Sequence, residues 1–322
     1  YILKDLKKKF FSISSLNKQT NELAKRIKYY SPDIVYVNSL VNFFVLIASR
    51  KASVPSILNC REGRDYKSVF NYLSKKLSLK AISSIAFPER IIFVSKDSLD
   101  KWKLFNLENK FLIVKNQINN SRFSNCIAKT KKDYRKFLKY DQDEHIFLSV
   151  GTLSRNKNQL LLIKSFFKIS KILKNPIRVI ILGQSNNLYG LVLKLISFRF
   201  KYHKFIKIIF IDSKDNVGIY YRAADSLLFT SRSESCPRVI LEAKFFDLNI
   251  ISTDINSVKE ITNEYKKIVF FKKDFYKDLS NKIITSLNKK VKSNELKFFK
   301  NDPYKDMVNQ YYKIIVSIFK NS

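Results

Sequence analysis

SLLFTSRSESCPRVILEAKFF, residues 226–246, runs from a short apolar stretch through a polar turn into an amphipathic stretch, with a proline at the second junction. The apolar stretch reads as a buried strand ending near Thr230. Pro237 suits the first position of the helix that follows, where an N–H is not needed and the ring's fixed φ is already helical. Glu234 then lies in the strand-to-helix loop and Glu242 over one turn into the helix. The first-turn N–H groups, around Arg238 to Ile240, lack partners within the helix and form a ready anion site. A phosphate there would have one carboxylate on either side, and a carboxylate accepts two hydrogen bonds from a vicinal diol. Two sugars flanking a diphosphate is the anatomy of a nucleotide sugar. Two isolated glutamates would otherwise read as solvated surface acids, and it is the proline-led helix start between them that favours binding.

Working outward, β-branched runs alternate with longer amphipathic ones, the pattern of parallel sheets with helical crossovers. DIVYV (33–37), PSIL (55–58), RIIFVS (90–95) and FLIV (111–114) read as strands of one α/β unit. Asn119 to about Glu144 is polar and basic without a strand signal, and is read as the link into a second unit. There the pattern restarts with HIFLSVG (145–151), IRVIILG (177–183), FIKIIFID (205–212), SLLFTS (226–231), NIIST (249–253) and KIVFF (267–271). The tail, residues 302–320, reads as a helix with Pro303 in its first turn and Met307, Val308, Tyr311, Ile314, Ile315 and Ile318 on one side. The expected fold class is therefore α/β with two Rossmann-like doubly wound domains: 1–122, 123–300, and a terminal helix 301–322 packing back toward the first.

The stretch around the glutamates resembles retaining glycosyltransferases of the GT-B fold, in glycosyltransferase family four (group 1). The family's S-x-x-E-G-F-P-x-V-x-x-E-A stands here as Ser231, Glu234, Pro237, Val239, Glu242 and Ala243. YYRAADSLLFTS resembles its Y-x-x-A-D lead-in, NIISTDINSVKEI its P-V-I-S-T-D-x-x-G-x-x-E-I, and FLSVGTLSRNKNQLLLIKSF its V-G-R-L-S-x-x-K-N phosphate loop. Relatives begin with a further strand and a Gly-rich loop that are not found here, so the amino-terminal domain is expected to be incomplete, in a chain that opens without Met.

The resemblance implies roles. Glu242 binds the donor ribose, Glu234 contacts the transferred sugar, and Lys157 meets the diphosphate; Glu234 and Lys157 are the expected catalytic pair. Gly151, Thr152 and Arg155 belong to the phosphate loop, and backbone N–H groups of Ser235, Cys236, Val239 and Ile240, beside Pro237, line the donor site. Thr152 stands where the family often has arginine, and Arg155 is the candidate to reach in instead. Arg61 and Glu62 are acceptor-side candidates, with a surface ion pair as the other reading. Cys236 reads as a packed thiol. Base selection would rest on loops such as IDSKDN (211–216). The implied activity is transfer from a nucleotide-sugar donor to a glycan or lipid-linked acceptor, with no metal or other cofactor, in surface polysaccharide or lipopolysaccharide synthesis. The rival readings are a catalytically degenerate nucleotide-sugar binder and, more remotely, a nucleic-acid-binding protein.

Composition bounds these readings. No apolar run approaches the ~18 residues that span a bilayer. Three cysteines, Cys60, Cys126 and Cys236, suit neither a disulfide framework nor a zinc site, which points to a reducing, cytoplasmic compartment. A net charge of +34 is open to two explanations, attraction to anionic partners or the codon bias of an AT-rich genome. Nucleic acid is not an expected partner, since zinc-finger, helix-turn-helix and RNP1 signatures are missing and most aromatics fall at core spacings. Residues 65–87 read as one amphipathic helix with Val69, Phe70, Leu73 and Leu77 inward and lysines elsewhere. It either covers a sheet or makes peripheral contact with the anionic inner face of the plasma membrane.

Overall fold

The computed structural model describes residues 12–103, 107–184, 187–212, 216–288 and 302–320. The chain divides into two compact units, Tyr1–Asn116 with Met307–Ser322, and Gln117–Asp306. Every strand expected from the sequence is present to within two residues at either end.

In the first unit, β1 (Val35–Asn38), β2 (Ser56–Cys60), β3 (Arg90–Phe93) and β4 (Phe111–Ile113) pair in chain order, all parallel. The helices are α1 (Ile13–Tyr30), α2 (Phe43–Ala52), α3 (Tyr66–Val69), α4 (Lys75–Ser83) and α5 (Lys96–Asp100). Successive strand residues point to opposite faces, so the sheet buries both. Leu58, Ile91 and Phe93 pack with Leu16, Phe43 and Leu46 on the side of α1 and α2. Ile57, Ile92 and Val114 meet the carboxy-terminal helix Pro303–Lys320 through Met307, Tyr311, Ile314, Ile315 and Ile318. Val308, expected on the packed side, is exposed instead.

The single helix expected over 65–87 is broken in two. Asp65 caps α3, its carboxylate accepting from the Ser68 N–H at 3.0 Å, and Ser74 adopts an extended N-cap conformation that starts α4 afresh. The chain leaves the helix after Val69 and re-enters it at Lys75 although the apolar spacing is continuous. Val69, Phe70 and Leu77 are buried, while Tyr72 and Leu79 are exposed.

In the second unit the parallel strands are β5 (His145–Val150), β6 (Ile177–Leu182), β7 (Ile206–Ile211), β8 (Ser226–Phe229), β9 (Asn249–Thr253) and β10 (Ile268–Phe271), in the order β10-β9-β8-β5-β6-β7. The helices are α6 (Ser124–Ile127), α7 (Lys131–Phe137), α8 (Gln159–Ile169), α9 (Leu188–Ser197), α10 (Gly218–Ala223), α11 (Arg238–Phe245), α12 (Asn256–Thr262) and α13 (Tyr276–Leu287). Ile146 and Leu148 pack with Tyr221, Ile240 and Phe246 on one face, and Phe147 packs with Leu162, Phe166 and Ile283 on the other. This is a doubly wound sheet. Strand order reverses between β5 and β8, and in such sheets the crevice beyond the strand ends at that point is where ligands bind.

A buried ionic cluster ties α7 to the amino ends of β5 and β8, the opposite end of the sheet from that crevice. Asp225, just before β8, accepts from Lys131, from Arg135 Nη2 at 2.6 Å and from the Ile146 N–H at 2.7 Å. Burial alone would raise its pKa, but Lys131, His145, Arg135 and the Ile146 N–H together hold it below the usual carboxylate range. The start of α7 is fixed by a capping box in which Thr130 Oγ1 accepts from the Asp133 N–H and the Asp133 carboxylate accepts from the Thr130 N–H at 2.8 Å. Thr130→Ala is expected to cost about 1 kcal/mol, seen in thermal unfolding as a drop of about 2–4 °C.

Candidate active site

The loop after β5 and the loop after β8 are bound to each other by backbone and side chain. Thr230 Oγ1 donates to the Lys157 carbonyl at 2.7 Å, Arg232 N–H to the Asn156 carbonyl at 2.8 Å, and Asn156 Nδ2 to the Ser233 carbonyl at 3.0 Å. Asp274 accepts from both sides, from Asn158 Nδ2 at 2.8 Å and Arg232 Nε at 2.7 Å. Asn158 is buried with φ 56, a left-handed conformation that asparagine tolerates.

Two glycines allow this geometry. Gly151 follows β5 with φ 145, which side-chain-bearing residues rarely adopt, and the stem of Lys157 lies over it. Gly183 follows β6 so closely that a Cβ there would sit 2.1 Å from the Gly151 carbonyl oxygen. With its stem against Gly151, Lys157 reaches across and donates from Nζ to Glu234 Oε1 at 2.6 Å. The pair is partly buried, with side chains 24% and 18% exposed. Thr152 and Arg155 are both exposed. The Arg155 carbonyl accepts from Arg232 Nη1 at 3.2 Å.

Past Glu234 the chain turns through buried Ser235, Cys236 and Pro237 into α11. Pro237 has φ −73 and ψ 111 and precedes the first helical residue, one position earlier than the sequence suggests, because its carbonyl already begins the helical bonding. That carbonyl accepts from the Ile240 N–H at 3.1 Å. The first-turn donors left without a helical acceptor are therefore those of Arg238 and Val239, and the Ile240 N–H is engaged, unlike the expectation from helix geometry alone.

Glu242, 8% exposed, turns to the protein interior. Its Oε2 accepts from the Tyr221 hydroxyl at 2.7 Å, and Tyr221 in turn stacks on Phe246 with ring centroids 5.5 Å apart and 6° between planes. Burial raises the Glu242 pKa above the ordinary carboxylate range, against the lowering influence of the Tyr221 hydrogen bond and of Arg122 and Arg238. Tyr221 itself is pushed well above its usual pKa by burial and by Glu242. It remains a neutral donor. Tyr221, Asn156, Asn158 and Asp274 were not singled out in the sequence. Tyr221, Asn156 and Asn158 all fall inside the matched stretches, Tyr221 as the tyrosine of Y-x-x-A-D, and Asp274 lies outside them.

Arg61 and Glu62 lie in the first unit, after β2. The Glu62 carboxylate is taken up by its own loop: it accepts from Ser39 Oγ, from the Leu40 N–H at 3.0 Å and from the Arg61 N–H at 2.9 Å. Exposed Arg61 reaches Asn116 Oδ1 at 3.4 Å. Residues 213–215 of the loop read as a base selector lie outside the described residues. Among the described residues, no group of three or more His, Cys, Asp or Glu is placed to hold a metal ion.

A family profile, Glycosyl transferases group 1, matches residues 130–306. The capsular polysaccharide biosynthesis glycosyltransferase CapH of Staphylococcus aureus is 27% identical over 253 residues, 76% of this chain and 66% of that protein. The match thus spans just under two thirds of that relative's length. Among solved structures, sucrose-phosphate synthase from Thermosynechococcus elongatus superposes with a TM-score of 0.77 at 14% identity, covering 96% of this chain and 79% of that one. Anabaena HepE in complex with UDP and glucose superposes with a TM-score of 0.70 at 16% identity, covering 96% and 84%. These likenesses show the GT-B fold.

Proposed function

Because the chain belongs to the glycosyl transferases group 1 family, we propose that it moves a sugar from a nucleotide-sugar donor to a hydroxyl of a glycan or lipid-linked acceptor. In this reading the transfer retains anomeric configuration and serves a surface polysaccharide or lipopolysaccharide. The capsular relative's name supports that product class. The observation that carries the reading is the ion pair of Lys157 with Glu234, 2.6 Å apart, made between the loops that leave the two strands of the switch point.

The diphosphate would lie at the start of α11, against the N–H groups of Arg238 and Val239. Lys157 has three donors, so one can stay on Glu234 while another meets a phosphate oxygen. As the bond from the anomeric carbon to the diphosphate oxygen breaks, charge grows on that oxygen, and Lys157 and the helix terminus stabilise it. The acceptor hydroxyl oxygen bonds to the anomeric carbon and its proton passes to the departing diphosphate. Glu234 accepts from hydroxyls of the transferred sugar, and Glu242 from the ribose diol. The reading assigns no metal. It places the protein in the cytoplasm, in peripheral contact with the inner face of the plasma membrane; no described helix is long and apolar enough to cross a membrane.

Calorimetric titration with UDP, GDP, ADP and CMP, followed by a transfer and hydrolysis assay with sugars of the selected nucleotide, tests the reading. One base is expected to be preferred, with turnover of a matching donor. Binding without turnover would leave a nucleotide-sugar-binding protein, for which Thr152 in the arginine position gives a reason. No binding to any nucleotide would sink both.

A further inference from the structure

Helix α9 is apolar on both sides. Inward, Leu193 and, in the following turn, Phe200 are buried in the core of the second unit. Outward, Leu188, Leu191, Val192, Leu195, Phe198 and Tyr202 are exposed by 77, 54, 41, 66, 63 and 85%. The first four recur at helical spacing, and the last two extend the stripe through the 3-10 turn Phe198–Phe200 and beyond. A helix that is hydrophobic all round is ordinarily covered on all sides. An exposed apolar stripe of this kind marks a place where something binds.

The surrounding charge identifies what. Lys194, Arg199, Lys201 and Lys204 border the stripe, all exposed, and the sequence from Asn187 to Ile211 contains no Asp or Glu. Helix α8, which packs against α9 and whose Phe167 stacks on Phe200 at 4.5 Å, adds exposed Lys164 and Lys168 and likewise has no acid. The Lys201 ammonium lies 5.1 Å from the ring centroids of both Phe198 and Tyr202, so its cationic head and the apolar rings face solvent together. A second copy would bring the same cations against these, and they would repel. Nucleic acid would find phosphate partners here but no use for four aliphatic side chains. Anionic lipid satisfies both halves, with headgroups for the lysines and the acyl boundary for the leucines and phenylalanine.

We propose that the outer face of α9 and the turn after it form a docking surface for an anionic bilayer, with the helix lying in the plane of the interface. This surface belongs to the second unit and is distinct from the basic helix α4 of the first. The inference rests on the peripheral membrane contact of the proposed function, for which it names the surface, and does not depend on the transfer reaction.

The test is co-sedimentation of the full chain with vesicles of equal parts phosphatidylglycerol and phosphatidylcholine, and with vesicles of phosphatidylcholine alone. The parent chain is expected to pellet with the anionic vesicles and less so as salt is raised. Leu191→Ser/Leu195→Ser/Phe198→Ser is expected to weaken that binding by about tenfold or more, with an unchanged melting temperature because the replaced side chains face solvent. Lys201→Glu/Lys204→Glu should also weaken it, whereas Lys75→Ala/Lys76→Ala on α4 should not match the loss. The proposal is overturned if the parent ignores anionic vesicles, if the triple variant pellets as the parent does, or if the α4 variant alone abolishes binding. It is equally overturned if the triple variant converts a dimer to a monomer without lipid, since a second copy would then be the occupant.

Discussion

Lys157→Ala is expected to lower transfer turnover by about a hundredfold or more, the range seen when one preorganised donor to a developing oxyanion is removed. The expectation rests on position. The stem of Lys157 lies over Gly151, where no side chain competes for space, and its ammonium is already desolvated in part by Glu234 at 2.6 Å. A solvated lysine would lose more entropy in reaching a phosphate than one held by a carboxylate and by a loop whose backbone is tied to Thr230, Arg232 and Ser233. Because leaving-group charge is largest at the transition state, the loss should fall on kcat more than on donor affinity. Lys157→Arg keeps the charge but replaces a compact ammonium with a planar fork, and is expected to recover part of the loss. The measurement is kcat on the donor selected by calorimetry. Turnover within a few-fold of the parent would remove Lys157 from the chemistry and leave its pairing with Glu234 as a structural bridge.

The strands were legible because parallel strands buried on both faces must be short, β-branched and continuous, as IRVIIL and NIIST are. Elements whose geometry depends on competition between local signals were less so. The apolar spacing over 65–87 is helical throughout, yet the backbone is extended at Ser74, and the engagement of the Ile240 N–H came from Pro237 standing just before α11. Periodicity also cannot say which of two apolar faces is the buried one. It put Val308 on a packed side, where it is exposed, and gave no sign that the outer side of α9 faces solvent. At the candidate site, the residue types could be read but not their partners. That Lys157 would bond Glu234, 77 positions away, follows only from β5 and β8 being neighbours. The orientation of Glu242 goes with the Tyr221 hydroxyl, which reaches it from α10, 21 positions away.

Glu242→Gln is expected to separate binding from stability. A carboxylate in this position accepts from Tyr221 through one oxygen and can offer the other to a ribose diol; hydrogen bonds to a charged group contribute about 1.5–3 kcal/mol each. Losing the charge should weaken nucleotide-sugar binding by about tenfold or more, and Glu242→Ala should weaken it at least as much. The pH dependence distinguishes this from general damage. Burial raises the pKa, so the proton returns above the ordinary carboxylate range even with the Tyr221 hydroxyl, Arg122 and Arg238 favouring the anion. The diol prefers the ionised form, so parent affinity should fall as pH is lowered through that raised pKa, and the glutamine variant should lack this component. A nucleotide sugar is the right probe because its diphosphate, esterified at both ends, does not titrate there. Stability moves the other way. An acid whose pKa is raised by folding binds its proton more tightly in the folded state, so its contribution is full below the unfolded pKa and is lost as pH rises through the folded one. Glutamine resembles the protonated form and still accepts from Tyr221, so at neutral pH the variant should melt at or above the parent's temperature. Weaker binding with equal or higher stability is what a carboxylate buried for a ligand predicts; lower stability with unchanged binding would make Glu242 a support for Tyr221 and α11 instead.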